Sequence, residues 1–201
     1  QQKLPPVEAQ TLLAAVEVVR NRDPEQFTKA VLAYNPRYGT LFETPAHFEV
    51  IRRRYQEADA WLKRAVAVQP DLWSAQRELG LNLMRLGKMA EARAPLVASF
   101  EGDPFNTTTV NTLRLLDSLA QFETIDTAPP ALKLLLNKSE AAPLRPYVES
   151  LAHQAMATFS RRYGYTPAGP VGVEVYPNHD DFAVRIAGLP GIGLLGVTFG
   201  D

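Results

Sequence analysis

Apolar positions recur with a helical period as far as Gln121, and the period becomes mixed beyond it. The stretch from Asp71 to Pro104 reads as two helices joined at Leu86-Gly87-Lys88. Leu79, Gly80, Leu83, Gly87, Ala92, Leu96 and Pro104 alternate small and large residues at the spacing of a packed helix pair. Ala58, Leu62, Ala65 and Pro70 stand 34 residues before Ala92, Leu96, Ser99 and Pro104, so the pattern repeats. A single hairpin of this length cannot bury its apolar faces, and stacked copies can.

Taken in order, Leu12, Leu13, Val16 and Val19 predict a first helix that Asn21-Arg22-Asp23-Pro24 ends. A second helix from Pro24 to Ala33 turns Phe27, Val31 and Leu32 inward, and the pair reads as a degenerate first repeat. Asn35 to Gly39 is a turn cluster. Residues 41–53 and 55–68 predict the next pair, with Pro45 near its start and Ala58, Leu62, Ala65, Val66 and Trp61 on one face of its second helix. In the third pair, Trp73, Leu79, Leu83 and Leu86 mark the first helix. Ala90, Arg93-Ala94, Val97 and Phe100 lie along the second, and Gly80 and Ala92 sit where the axes approach most closely. Asn106 then caps a helix from Thr107 to Ala120, which seals the array.

Beyond Gln121, Phe122–Thr127 and Leu132–Leu136 predict two strands around Ala128-Pro129-Pro130-Ala131. The next helix carries Leu144, Tyr147, Val148, Leu151, Ala152, Ala155, Met156, Phe159 and Tyr163, a stripe that packs on a sheet or another helix, and Gly164 ends it. Val171, Val173 and Val175 alternate with Gly172, Glu174 and Tyr176 as a strand with one buried face, which leaves Glu174 exposed. Asn178 caps a short helix closed by Gly188, and Leu194 to Phe199 predict a last strand. The fold class is therefore α+β: an α-solenoid of helical hairpins over 1–121, followed by an incomplete α+β domain over 122–201.

Composition narrows the function classes. With 46% apolar content among 201 residues a core is assured, and 21 basic against 22 acidic residues form no electrostatic footprint for nucleic acid. Arg52-Arg53-Arg54 is the one basic cluster and reads as a solvated helix face. The absence of cysteine removes disulfides, thiolate metal sites and cysteine nucleophiles. No apolar run approaches the roughly 18 residues of a membrane span. The sequence opens Gln1-Gln2 and closes after an expected strand, and both ends are expected to be cuts in a longer protein. A processed start is compatible with an extracytoplasmic (periplasmic or secreted) address.

Candidate chemistry is sparse. Gly191-Ile192-Gly193-Leu194-Leu195-Gly196 matches a dinucleotide-loop spelling, but a helix and Pro190 precede it where a strand is required, so it reads as a turn. His47, His153 and His179 have no partners at metal-ligand spacing, and His153 falls off its helix's apolar stripe toward solvent. Asp180 and Asp181 are adjacent on a helix and diverge by about 100°, so the helix dipole accounts for them. Asn106-Thr107-Thr108 and Asn137-Lys138-Ser139 spell the glycosylation triplet, a pattern common by chance.

Leu79-Gly80, Gly87, Ala92 and Pro104 resemble the tetratricopeptide repeat. Arg162 to Pro167, Val173 to Pro177, Asp181 to Arg185 and Gly188-Leu189-Pro190-Gly191 together resemble the opening of a peptidase-MA-like domain, the gluzincin type that follows such repeats in bacterial proteins. That resemblance implies that this chain is the N-terminal part of a zinc metallopeptidase. Zinc, its His-Glu-x-x-His helix and the catalytic groups would then lie beyond Asp201, with no catalytic residue, metal ligand, cofactor or tightly bound zinc in the chain itself. It also implies that Leu194, Leu195, Gly196, Val197, Thr198 and Phe199 border the substrate cleft as an edge strand.

Two readings remain. One is the substrate-side segment of such a peptidase, whose partner is the rest of its own domain. The other is a protein–protein interaction module without enzymatic activity, binding a protein or peptide on a concave face to which Ser74, Arg77, Leu81, Met84 and Arg85 are assigned.

Overall fold

The computed structural model describes residues 6–128 and 131–200. Its helices are α1 (Val7–Val19), α2 (Glu25–Tyr34), α3 (Thr40–Ile51), α4 (Tyr55–Val68), α5 (Trp73–Arg85), α6 (Met89–Gly102), α7 (Thr107–Ser118), α8 (Ala141–Tyr163) and α9 (His179–Ala187). The strands are β1 (Phe122–Asp126), β2 (Leu132–Asn137) and β3 (Val171–Glu174). A largely helical region is thus followed by an α+β region. Two compact units result, one comprising residues up to Leu113 together with those from Leu195, the other Arg114–Leu194.

In the first unit the helices pair in sequence order, α1 with α2, α3 with α4 and α5 with α6, while α1 packs on α3 and α4 on α5. The second helices of the last two pairs start 34 residues apart, at Tyr55 and Met89. Their equivalent positions Ala58 and Ala92, Leu62 and Leu96, and Ala65 and Ser99 are all buried. Small residues set the approach. A Cβ built on Gly80 would stand 2.5 Å from Leu96 Cγ and 3.1 Å from Ala92 O, so glycine there lets α5 close on α6.

The turns inside the pairs also repeat. Asn21, Arg53 and Gly87 adopt φ of 55°, 62° and 72°. Each turn returns two amides to the preceding helix: Gly87 N–H donates to Met84 O and Lys88 N–H to Leu83 O, as Arg53 does to Val50 and Arg54 to Glu49. This is the left-handed C-terminal cap, and the first two pairs form it without glycine. Asn82 ties successive pairs together: it is fully buried, and its Nδ2 donates to Tyr55 O at 2.8 Å. Asn106 caps α7 as expected, its Oδ1 accepting from Thr109 N–H at 3.1 Å.

Two helices of this unit bury their small residues and leave larger apolar ones outside. In α1 the buried residues are Thr11, Ala14, Ala15 and Val18, while Leu12, Leu13 and Val16 are exposed, because α1 meets its neighbours through its small residues. In α6 the buried row is Ala92, Leu96 and Ser99, and Phe100 is exposed, for the same reason.

The second unit is a three-stranded sheet in the order β1-β2-β3, with β1 antiparallel and β3 parallel to β2. A parallel neighbour needs a crossover, and α8 supplies it. Leu132, Leu134 and Leu136 project from β2 to form a core with Ala141, against which Val148, Ala152 and Met156 of α8 and Val171 and Val173 of β3 pack. The sheet covers only part of the α8 stripe: Tyr147, Leu151, Phe159 and Tyr163 remain exposed. Gly164 and Gly188 end α8 and α9 in the left-handed conformation, as expected. The Pro129-Pro130 turn lies outside the described residues.

The last expected strand is absent. Residues 194–199 carry no strand pairing, and Leu195 is 97% exposed. Gly193, Gly196 and Gly200 raise the entropic cost of extending this segment, and Leu195 finds no apolar surface to repay it.

Candidate functional site

Because α1 packs through alanines, Leu12 is left standing outward at 55% exposure. On α3, Leu41, Phe42 and Ala46 point into the core. Residues one helical step round that surface, Glu43, Thr44, His47 and Phe48, form a second face, with Glu43 above His47 and Thr44 above Phe48 at i,i+4. From α5 come Arg77 and Glu78. These side chains, with Ala46, Val50 and Leu62, line a groove of about 430 Å³ in the first unit.

The groove is lined by apolar side chains together with the charges of Glu43, Arg77 and Glu78. Phe48 and His47 meet edge to face at 5.7 Å between ring centroids. Arg77 Nε lies 3.4 Å from Glu78 Oε1, so those two charges offset each other. Glu43 has no hydrogen-bond or ion-pair partner for its carboxylate among the described residues. A smaller set of residues, including Pro6, Val7, Ala30 and Tyr34, lines a second depression of about 440 Å³ along α1 and α2. It gathers residues from fewer helices and carries less charge.

Of the residues assigned to the concave face, Arg77 lines the groove. Met84 is 2% exposed and so is enclosed rather than presented. Ser74, Leu81 and Arg85 are half-buried on α5 outside the groove. Leu12, Glu43, His47 and Phe48 also line it, outside the residues that the sequence assigns to the concave face. For Leu12 the signal lies in the outward row of α1, which is apolar and reads as core when the helix is considered without its neighbour; Glu43, His47 and Phe48 on α3 carry no comparable signal in the sequence.

The Arg52-Arg53-Arg54 cluster is not a solvated face alone. Glu49 is buried, and Arg52 Nη1 lies 3.2 Å from its Oε1, with Arg54 Nε 3.9 Å from Oε2. Arg54 also donates through Nη1 to Asn21 Oδ1 at 2.6 Å, joining the first two left-handed turns. Two of the three arginines are therefore committed to the fold.

In the second unit the most concentrated polar chemistry is Glu174, Tyr176 and Arg185. Arg185 donates through Nε to Glu174 Oε2 at 2.8 Å and through Nη2 to Oε1 at 2.9 Å, and Tyr176 Oη donates to Oε2 at 2.8 Å. Glu174 is thus paired and half-buried, not exposed as its strand position suggests. Burial, reinforced by the Glu174 charge, pushes the Tyr176 hydroxyl well above the usual tyrosine range. Desolvation lowers the pKa of Arg185, but its hydrogen bonds and charge attraction to Glu174 outweigh this and leave it raised. Both carboxylate oxygens are occupied, so the cluster anchors α9 to the end of β3 and to Tyr176, two residues beyond it.

The start of α9 holds the tail. Asn178 Oδ1 accepts from Asp180 N–H at 2.8 Å, the expected cap, and Asp180 Oδ1 accepts from Gly191 N–H at 3.3 Å. His179 Nε2 lies 3.1 Å from Leu194 O. His153 is half-buried and has a partner of its own. Gly191 follows α9, and no helix opens after it, so the nucleotide-loop spelling lacks its context. Among the described residues no group of three or more His, Cys, Asp or Glu could hold a metal ion, and no helix is long and apolar enough to cross a membrane.

No family model matches the sequence, and no curated protein matches it. The peptidase-MA resemblance therefore gains no support from relatives. Among solved structures, a mutant O-GlcNAc transferase from Thermobaculum terrenum is similar, with 21% identity and a TM-score of 0.42 over 58% of this chain. The chain spans 24% of that protein, and a likeness of this degree carries no argument about function.

Proposed function

We propose that the first unit is a tetratricopeptide-type protein-interaction module, and that the groove between α1, α3 and α5 receives a segment of another polypeptide. The observation that carries this reading is Leu12: a large apolar side chain held outward beside a groove that Phe48 also lines, on a helix whose own contacts are made through Thr11, Ala14, Ala15 and Val18. Exposed apolar side chains gathered at a concavity favour binding, whereas isolated ones do not. The first helices of successive hairpins supply the walls, as in solenoids that present one continuous binding surface. The peptidase reading, by contrast, assigns its chemistry to residues outside this sequence.

Selection of short random peptides against the full chain tests the proposal. Enriched peptides should lose binding to Leu12→Asp, a change at an exposed position that leaves the core intact. Hydrogen exchange should slow along α1 and α3 when such a peptide binds. Enriched peptides that bind Leu12→Asp as well as they bind the unchanged protein would overturn it.

A further inference from the structure

The walls of the groove define what kind of segment it accepts. Apolar side chains from α1 and α3, Leu12 and Phe48, require an apolar partner. Of the three full charges on the walls, Arg77 and Glu78 are spent on each other at 3.4 Å. That leaves Glu43, half-buried on α3, with no cation beside it among the described residues. Neighbouring positive charges do not supply one: Arg37 faces Asp71 at 3.6 Å, and Arg53 makes no ion pair among the described residues. Arg52 and Arg54 serve Glu49, Lys63 Nζ is 2.7 Å from Asp59 Oδ2, and Arg64 lies over the Phe42 and Trp61 rings at 4.3 and 4.7 Å from their centroids. The groove therefore carries an excess carboxylate next to exposed apolar surface.

Building on the interaction-module reading, we propose that the occupant is a polypeptide segment with a large apolar side chain and a lysine or arginine close by. The apolar side chain inserts between Leu12 and Phe48, and the cation pairs with Glu43. An acidic segment is disfavoured twice. Its carboxylate would approach Glu43 across a low-dielectric wall, and the one arginine in reach is already neutralised. Charge complementarity of this kind selects among partners more than it adds affinity, so its signature is a preference.

The experiment compares random-peptide selections against the full chain, Glu43→Lys, Leu12→Asp and Glu57→Lys, the last being an exposed position on α4 that does not line the groove. The unchanged protein and Glu57→Lys should enrich peptides in which Leu, Ile or Phe lies near Lys or Arg. Glu43→Lys should shift the enrichment to Asp and Glu, and a synthetic peptide from the first selection should bind it about tenfold more weakly. If enriched peptides depend on Leu12 but show no basic preference, or keep it in Glu43→Lys, the charge assignment is overturned while the module reading stands. If no peptide depends on Leu12, both fall.

Discussion

Arg185 and Glu174 meet fork to fork across the second unit, Nε to Oε2 at 2.8 Å and Nη2 to Oε1 at 2.9 Å, and fix α9 to the end of β3. Parallel bonds of this kind combine strength with a defined orientation. Arg185 is almost wholly buried, while Glu174 keeps a quarter of its side-chain surface. Removing the arginine therefore leaves a half-buried carboxylate with the Tyr176 hydroxyl alone. Arg185→Met should cost about 2–3 kcal/mol by chemical denaturation. It should also speed hydrogen exchange in α9 before it does so in β2. Unchanged exchange in α9 would show that the pair does not hold the helix.

Tyr176 gives the second unit a pH dependence with a definite sign. Its folded-state pKa is raised, by burial first and by the Glu174 charge second. An unfolded tyrosine ionises near pH 10, so above that value the unfolded state releases a proton that the folded state retains. Stability should be unaffected by Tyr176 below about pH 9 and fall as the pH rises past 10. The melting temperature of Tyr176→Phe, measured across the same range, should fall less steeply. Parallel curves for the two proteins would refute the assignment.

The crossing of α5 and α6 depends on Gly80. Alanine is the better helix former by about 1 kcal/mol. Here its methyl would stand 2.5 Å from Leu96 Cγ and 3.1 Å from Ala92 O on the facing helix α6. Overpacking costs about 1–3 kcal/mol and outweighs the propensity gain. Gly80→Ala should lower the denaturation midpoint, and Ala92→Leu, on the facing helix, should do the same. A midpoint raised by Gly80→Ala would mean that the helices are not closely packed there.

Arg53 offers the opposite test, since its backbone is left-handed at φ 62° and its side chain is exposed without a partner among the described residues. A side chain in that conformation costs about 1–2 kcal/mol. Glycine removes the cost but adds about 0.5–1 kcal/mol of unfolded-chain entropy. Arg53→Gly should therefore stabilise the protein slightly, by about 0.5–1 kcal/mol, and raise its melting temperature. The equivalent turn at Gly87 already carries glycine.

Local and periodic information was legible in the amino-acid sequence. The hairpins, their 34-residue spacing, Asn106 and Asn178 as caps and Gly164 and Gly188 as helix ends follow from residue type and period. These features depend on a few neighbouring residues, and their physics is complete within one turn of chain. The order β1-β2-β3 and the groove were not legible in the same way. Leu12 and Leu62 are both leucines on amphipathic helices, yet Leu62 is 1% exposed and Leu12 is 55% exposed. The difference arises because α1 meets its neighbours through Ala14 and Ala15. Likewise, Glu174 alternates with valines on a strand and reads as solvated until α9 brings Arg185 across it. Residues 194–199 carry strand-forming side chains but no ladder partner. In each case the sequence determined which element forms and which faces could be buried. Only the tertiary structure decided which of those faces was covered, because burial belongs to a pair of surfaces and the second surface lies far away along the chain.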